Sequence, residues 1–474
     1  MKKRIHAVLL VPIVASVSLL ASCADEESAG ANGEVVLTWL VRSDPNLIEW
    51  EHRVIDAFEE ENPGIRVQLQ TIPQGEIDQK LQTMIAGGNV PDVWSPNWAD
   101  SGFGSYYAMG ALKDLSPFLE EEPDVLDGID ETLTDVYEME DGVYGIPILS
   151  MGSFLYYNRD LFDEAGVPYP PTDWNDESWD YDAMIDAAQA ITQNDLPPTQ
   201  RVYGVLDEDS PNKNAWAFGG DFFADEDYET GTLSEPVVTE NPRNREAIQQ
   251  RSDLINLHEV MPPQSEIAAL QQLSDPFLSG RVGMVMKGGW GTRQYANTDL
   301  NWGLAAYPYT NEERQISLYV DPWSISEGSK HPEEAWEFLK FLLDPDKAAK
   351  WMVEMTLESP ANSDLKELWF ELISERTGIP VKDLRIAEEG ALQYGRPTDN
   401  HLISNFAPVL KHQNMTINSI YDRRKTVDDG MRELQETITS LTYQQDGREN
   451  SMETNTSPNR SRKPLKRTSI GAKR

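Results

Sequence analysis

The apolar positions alternate between short extended runs and longer helical stretches. Val35-Val36-Leu37-Thr38-Trp39-Leu40-Val41 is almost continuously apolar, as a strand covered on both faces should be. A polar turn, Arg42-Ser43-Asp44-Pro45-Asn46, follows it. Ile48, Val54, Ile55 and Phe58 then lie on one face of a helix reaching about Glu61. Asn62-Pro63-Gly64 stops that helix, and Ile65-Arg66-Val67-Gln68-Leu69 alternates as a second strand. Ile77 to Ala86 with Asp92-Val93-Trp94 repeats the scheme. Such alternation predicts an α/β fold, a parallel sheet covered by helices. Ligands of these sheets sit beyond the carboxyl ends of the strands. Arg42, Ser43 and Asp44, and Ser95, Asn97 and Trp98, therefore fall on the expected ligand side, although each equally suits an ordinary loop.

The run Gly142 to Phe162 departs from the scheme. Pro147 and Gly152 interrupt its apolar stretches before the polar Asn158-Arg159-Asp160. Proline lacks a ladder N–H and glycine is conformationally permissive, so a strand broken here can bend or leave one sheet for another. Helices are predicted over Trp174 to Gln193 and Arg243 to His258, and strands at Val202 to Val205 and within Phe277 to Met286. The latter ends at Lys287-Gly288-Gly289-Trp290-Gly291, where glycine lets backbone approach a ligand and Trp290 offers a flat apolar face.

Charge and the chain ends change the picture. The formal net charge is −40; setting aside +3 on residues 1–22 and +5 on residues 446–474, the body carries −48. Such a body repels nucleic acid and anionic headgroups. Residues 120–141 hold eleven acidic side chains and no Lys or Arg; with no Asp-x-Asp-x-Asp-Gly loop, they read as a solvated surface rather than a metal site. At the start, Lys2, Lys3 and Arg4 precede the apolar stretch Ala7 to Leu20, which reads as a signal peptide over residues 1–22. Leu20-Ala21-Ser22-Cys23 resembles the bacterial lipobox, which implies cleavage before Cys23 and lipid attachment to it. Cys23 is the only cysteine, so no internal disulfide can form. Residues 23–33 read as a polar tether. Residues 444–474 read as a disordered basic tail with too little apolar area to order itself.

Several motifs occur in order: Lys80-Leu81-Gln82-Thr83-Met84-Ile85-Ala86-Gly87-Gly88, Pro91-Asp92-Val93, Tyr144-Gly145-Ile146-Pro147, Gly280-Arg281-Val282-Gly283-Met284, Gly288-Gly289-Trp290, and His331-Pro332-Glu333-Glu334-Ala335-Trp336. Together they resemble the extracellular solute-binding proteins of ABC importers, in the branch that includes the maltose-binding proteins. The resemblance covers roughly residues 34 to 440. It implies a periplasmic-binding-protein-like α/β fold of two lobes with interlobe hinge crossings and a ligand cleft. Lobe 1 would comprise 34–148 and 309–360, and lobe 2 would comprise 149–308 and 361–443. Crossings would fall at Pro147 to Ser153, at Leu304 to Pro308 and near Ser359 to Asn362. Asn214 to Asp221, with Trp216 and Asp221, resembles the family's second-lobe ligand segment. Gly289, Trp290, Asp321, Trp323 and Arg396 complete the candidate ligand set.

No Gly-x-Ser-x-Gly elbow, His-Glu-x-x-His helix or Gly-x-x-x-x-Gly-Lys-Ser/Thr loop occurs, and six scattered histidines give no metal cluster. Neither cofactor nor metal nor catalytic group is expected. Tryptophan is abundant, with 13 residues, and Trp98, Trp216, Trp290 and Trp323 stand at or near predicted loop ends. Aromatic rings cover the C–H faces of sugars while Asp, Asn and Arg bond their hydroxyls; core packing is the alternative for each ring. The expectation is a monomeric, lipid-anchored binding protein on the extracytoplasmic face. It would capture a carbohydrate, an oligosaccharide, and deliver it to an ABC permease. The rivals are a surface glycan hydrolase or lyase, which needs only two well-placed carboxylates, and a sensor or scaffold lipoprotein.

Overall fold

A computed structural model describes residues 34–197, 200–272 and 274–452 of the chain, with side chains described through residue 442. The expected signal peptide, the lipidation site Cys23, the tether and the tail beyond Met452 lie outside the described residues.

Two sheets organise the chain. The first contains β1 (Val35–Arg42), β2 (Ile65–Ile72) and β3 (Val93–Trp94). β1 runs parallel to both β2 and β3, as the strand-helix-strand pattern predicts. A small hairpin, β4 (Glu138–Met139) and β5 (Gly142–Val143), precedes β6 (Ile146–Met151). The second sheet has the order β10-β7-β9-β8, built from β7 (Ser153–Asn158), β8 (Tyr203–Asp207), β9 (Val282–Gly288) and β10 (Trp302–Ala305). The long β11 (Ile316–Ile325) returns to the first sheet, pairing with β3 and β6, and the short β12 (Gly395–Pro397) lies parallel to it.

The chain changes sheet at Gly152, between β6 and β7. A Cβ there would lie 2.4 Å from Ala391 Cβ, so only glycine fits beneath the helix Val381–Gln393. Each sheet has its own apolar core. Trp39, Trp94 and Trp323 belong to the first, and Leu155, Val205 and Val285 to the second. The return crossing comes later than Leu304 to Pro308, because β10 still pairs with β7. It falls inside β11, where Ile316 packs in the second core and Leu318 in the first. Near Ser359 to Asn362 the Ser150 and Ala361 N–H groups donate to Ser359 and Ile148 carbonyls, which ties that strip to β6.

Local chemistry sets the helix ends around this frame. Asn158 accepts the Leu161 N–H at the start of Arg159–Ala165, and Gly166 closes that helix at φ 68°. Asp180 caps Tyr181–Ile191 in the same way. After β12 the chain forms the helices Asp399–Leu402, Phe406–Tyr421 and Val427–Met452. The last of these runs past Tyr443, into the stretch read from sequence as tail. The Asn405 N–H donates to Ser105 Oγ, and Gly102 and Gly104 leave room for the carbonyls of Asn400 and Leu402. The segment Asn400 to Asn405 thus packs directly on the helix Gly102–Ala108, within the first core.

Candidate functional site

The seam between the halves is walled on the first-sheet side by the ends of β1 and β3 and by the interior of β11 around Asp321. Arg42 closes β1; its guanidinium lies 5.1 Å from the Trp98 ring centroid and its Nη2 is 2.7 Å from Glu358 Oε1. The Trp98 indole N–H donates to Asp321 Oδ2 at 3.2 Å. Trp98 meets Trp323 edge-on at 4.9 Å, and Trp323 meets Trp39 at 5.6 Å. Burial pushes the Asp321 carboxyl up to about 6; Arg42 opposes this shift and Glu358 adds to it. Arg42, Trp50, Trp98, Trp323 and Glu358 line a cavity with room for about one water molecule.

The second-sheet wall comes from the loop after β9. A Cβ on Gly288 would lie 2.0 Å from the Trp290 ring, and one on Gly289 would lie 2.8 Å from the Gly152 carbonyl oxygen. The absence of those carbons lets the helix Trp290–Ala296 start directly against the first crossing. Trp290 reaches Tyr319 of β11 edge-on at 4.7 Å. Arg293, one turn later on the same face, places Nη2 3.0 Å from Asp44 Oδ2 and Nε 3.3 Å from Glu358 Oε1. Burial pushes the Asp44 carboxyl up, but the Asn46 N–H and the two arginines outweigh it and hold it below its ordinary value.

A further polar cluster follows β8. Asp207, Asp209, Asn214, Tyr181 and Tyr307 surround a second water-sized cavity. Burial and the neighbouring Asp207 charge push Asp209 up to about 7, and it accepts the Tyr307 hydroxyl at 3.1 Å. Lys213 Nζ is 3.8 Å from Asp399 Oδ1 and 4.9 Å from the Tyr319 ring centroid. Burial and Lys213 push His401 down to about 3, so its ring is neutral.

The candidates read from sequence divide accordingly. Arg42, Asp44, Trp98, Asp321 and Trp323 converge on the first wall, and Gly289 and Trp290 stand on the second. Trp216 is fully buried; Arg396 lies 4.9 Å from its ring centroid and 4.0 Å from that of Tyr228, and bonds Asp221 at 2.7 Å. Trp216, Asp221, Tyr228 and Arg396 form a packed unit. Asn97 is committed internally: its amide donates to the Val320 carbonyl and the Tyr137 hydroxyl, and its oxygen accepts the Phe103 N–H. Ser43 is exposed, while Ser95 is buried with its hydroxyl unpartnered. Sequence reasoning missed Glu51, Asp209, Lys213, Arg293 and Glu358. Two carried a signal: Arg293 stands three residues after Trp290 on one helix, and Asp209 follows the carboxyl end of a predicted strand.

Comparison with known proteins settles the lineage. The family of bacterial extracellular solute-binding proteins matches residues 44–349. The chain belongs to that family. This solute-binding protein is 23% identical over 392 residues to the maltodextrin-binding protein of Bacillus subtilis, covering 81% of this chain and 87% of that one. It is 24% identical over 349 residues to the lactose-binding protein of Rhizobium radiobacter, covering 70% and 75%. Its fold matches that of an ABC substrate-binding protein from Listeria monocytogenes, solved in complex with cycloalternan, with a TM-score of 0.71 at 23% identity over 86% of this chain and 99% of that one. The GacH receptor of Streptomyces glaucescens, solved unliganded and with acarbose, gives 0.66 at 18% identity over 86% and 99%. The two-lobed periplasmic-binding-protein architecture expected from sequence is therefore this protein's fold. Among the described residues no helix is long and apolar enough to cross a membrane, and no cluster of His, Cys, Asp or Glu is suited to hold a metal.

Proposed function

We propose that this solute-binding protein is the capture subunit of an ABC importer and that its solute is a carbohydrate, an oligosaccharide, held in the seam between the two sheets. The observation that carries the reading is the pairing of walls. Trp98 and Trp290 come from opposite halves, and Arg42, Asp321, Glu358 and Arg293 lie beside them. Rings suit the apolar faces of sugars, and charged hydrogen-bonding groups suit their hydroxyls. The lactose- and maltodextrin-binding relatives support the same class of solute. The seam is closed here, so entry requires the halves to part about the crossings at Gly152, Ile316 to Leu318 and Ser359 to Ala361.

In this reading Cys23 carries a lipid that holds a monomer at the outer face of the membrane, and the closed form docks on a permease. Trp98, Trp290, Asp321 and Arg42 contact the solute, while Trp216, Asp221 and Arg396 support the wall behind it. Calorimetry against a panel of mono- and oligosaccharides tests the proposal. One-to-one binding of a sugar without release of cleavage products is expected. Cleavage products would favour the hydrolase or lyase, and tight binding of a different small solute with no response to sugars would remove the carbohydrate assignment.

A further inference from the structure

Glu358 takes both arginines of the seam, Arg42 Nη2 at 2.7 Å and Arg293 Nε at 3.3 Å, with its side chain 2% exposed. A buried carboxylate meets two guanidinium groups only if its own backbone is held in place. That backbone is strained. Leu357, the residue before it, closes the helix Ala348–Thr356 in the left-handed region, at φ 60° and ψ 21°. A bulky side chain is disfavoured there, and such a conformation persists only where surrounding contacts over-determine it.

Those contacts come from one face of the helix Lys366–Thr377. The Trp369 indole N–H donates to the Leu357 carbonyl at 2.9 Å. Lys366, one turn earlier, places Nζ 2.8 Å from Ser359 Oγ. The residues on either side of Glu358 are therefore gripped from a single helical turn. The same ammonium donates to the Ser150 carbonyl of β6 at 3.2 Å and to Glu388 Oε1 at 2.6 Å. Ser359 Oγ in turn donates to the Ser150 carbonyl at 2.9 Å. An ammonium group has three donors, and these three acceptors leave Lys366 none for a solute. Glu388 lies one turn before Ala391, the residue that faces Gly152. Lys366 thus fastens the strip that carries Glu358 to the place where the chain first changes sheet.

We infer that Lys366 and Trp369 are positioning residues of the capture site: they fix Leu357 and Ser359 so that Glu358 bridges Arg42 of the first half and Arg293 of the second. The inference rests on the capture reading and deepens it, because it names residues that act on the seam without touching the solute. Loosening this bracket frees Glu358, and the seam loses both arginine contacts together.

The test is a double-substitution cycle between Lys366 and Glu358 on the whole folded protein. Spin labels on the two halves report the seam with no solute present. Lys366→Met and Glu358→Gln should each lengthen the mean separation, and the double variant should lengthen it no further than Glu358→Gln alone. Ser359→Ala removes only the hydroxyl that receives the ammonium, and it repeats the cycle if Lys366→Met does not fold. A lowered melting temperature with an unchanged separation would make Lys366 a packing residue and overturn the inference. Shifts that add in the double variant would overturn it as well, because Lys366 would then act apart from Glu358. Sugar affinities of the same variants, measured by calorimetry, should fall about fivefold in each single variant and no further in the double. Failure of every sugar to bind the parent protein overturns the capture reading, while the label separations still decide the bracket.

Discussion

Arg293 and Asp44 join the two halves: the guanidinium Nη2 of one lies 3.0 Å from the carboxylate Oδ2 of the other across the seam. Arg293 belongs to the helix that follows β9 of the second sheet, and Asp44 to the turn that follows β1 of the first. Their side chains are 13% and 16% exposed, so the bond is sheltered without being sealed. A charged hydrogen bond of this kind contributes about 1.5–3 kcal/mol. Arg293→Ala should therefore shift the protein toward the open arrangement. Labels placed on the two halves should report a longer mean separation, and raising the salt concentration should move the parent protein in the same direction. An unchanged separation in the variant would show that other contacts hold the seam.

Glu51 gives a pH-dependent prediction. Its carboxyl is raised from an ordinary 4.5 to about 7, chiefly by burial, with the Asp44 charge adding to it. The folded protein thus holds this proton more tightly than the unfolded chain does. The resulting stability is fully present below pH 4.5 and is lost as the pH rises through 7. Glu51→Gln removes the loss. The variant should match the parent near pH 4.5 and exceed it at pH 8, by an amount on the order of 3 kcal/mol at most. Denaturant melts at the two pH values measure the difference, and equal stabilities at pH 8 would place Glu51 in a wetter site than the one described.

Gly152 is a steric prediction at the first crossing. An added Cβ would meet Ala391 Cβ at 2.4 Å. Gly152→Ala should cost about 1–3 kcal/mol of stability through overpacking. Gly75→Ala, where nothing lies within 4 Å of the added carbon, serves as the comparison and should change little. A Gly152 variant as stable as the Gly75 variant would mean that the Val381–Gln393 helix yields at that contact.

Trp98→Phe separates the ring from its N–H. The substitution keeps an aromatic face at the seam but removes the donor to Asp321. Solute affinity should fall several-fold and become more sensitive to pH near 6, where Asp321 titrates. Trp216→Phe, at a ring already covered by Arg396, should leave affinity nearly unchanged while lowering stability. Equal affinity losses in the two variants would argue that both rings touch solute.

The sheet frame was legible because it is written locally. The apolar run Val35 to Val41 and the alternation Ile65 to Leu69 each declare a strand, and their parallel pairing follows from the helix between them. Gly152 was legible for a similar reason, since proline and glycine punctuate an otherwise apolar stretch. The return crossing was not. Trp302 to Tyr309 and Ile316 to Ile325 both read as extended apolar chain, and only the partner strand decides which sheet each joins. The site was legible where it follows strand ends, as for Arg42 and Trp98, whereas Asp321 lies inside β11. It was hidden where it depends on distant partners. Glu358 gains its meaning from Arg42 and Arg293, and Glu51 looked like one more acid on a helix surface. Trp216 shows the converse: a ring beside glycine and polar residues is also what a cation-capped core requires.

The most direct test of the account is a crystal structure of the protein with its bound oligosaccharide. Solute density between the two sheets, with one sugar face on Trp98 or Trp290 and hydroxyl contacts to Asp321 and Arg42, is the predicted result. Solute bound elsewhere on the surface, or in a cleft whose walls include neither ring, would contradict it.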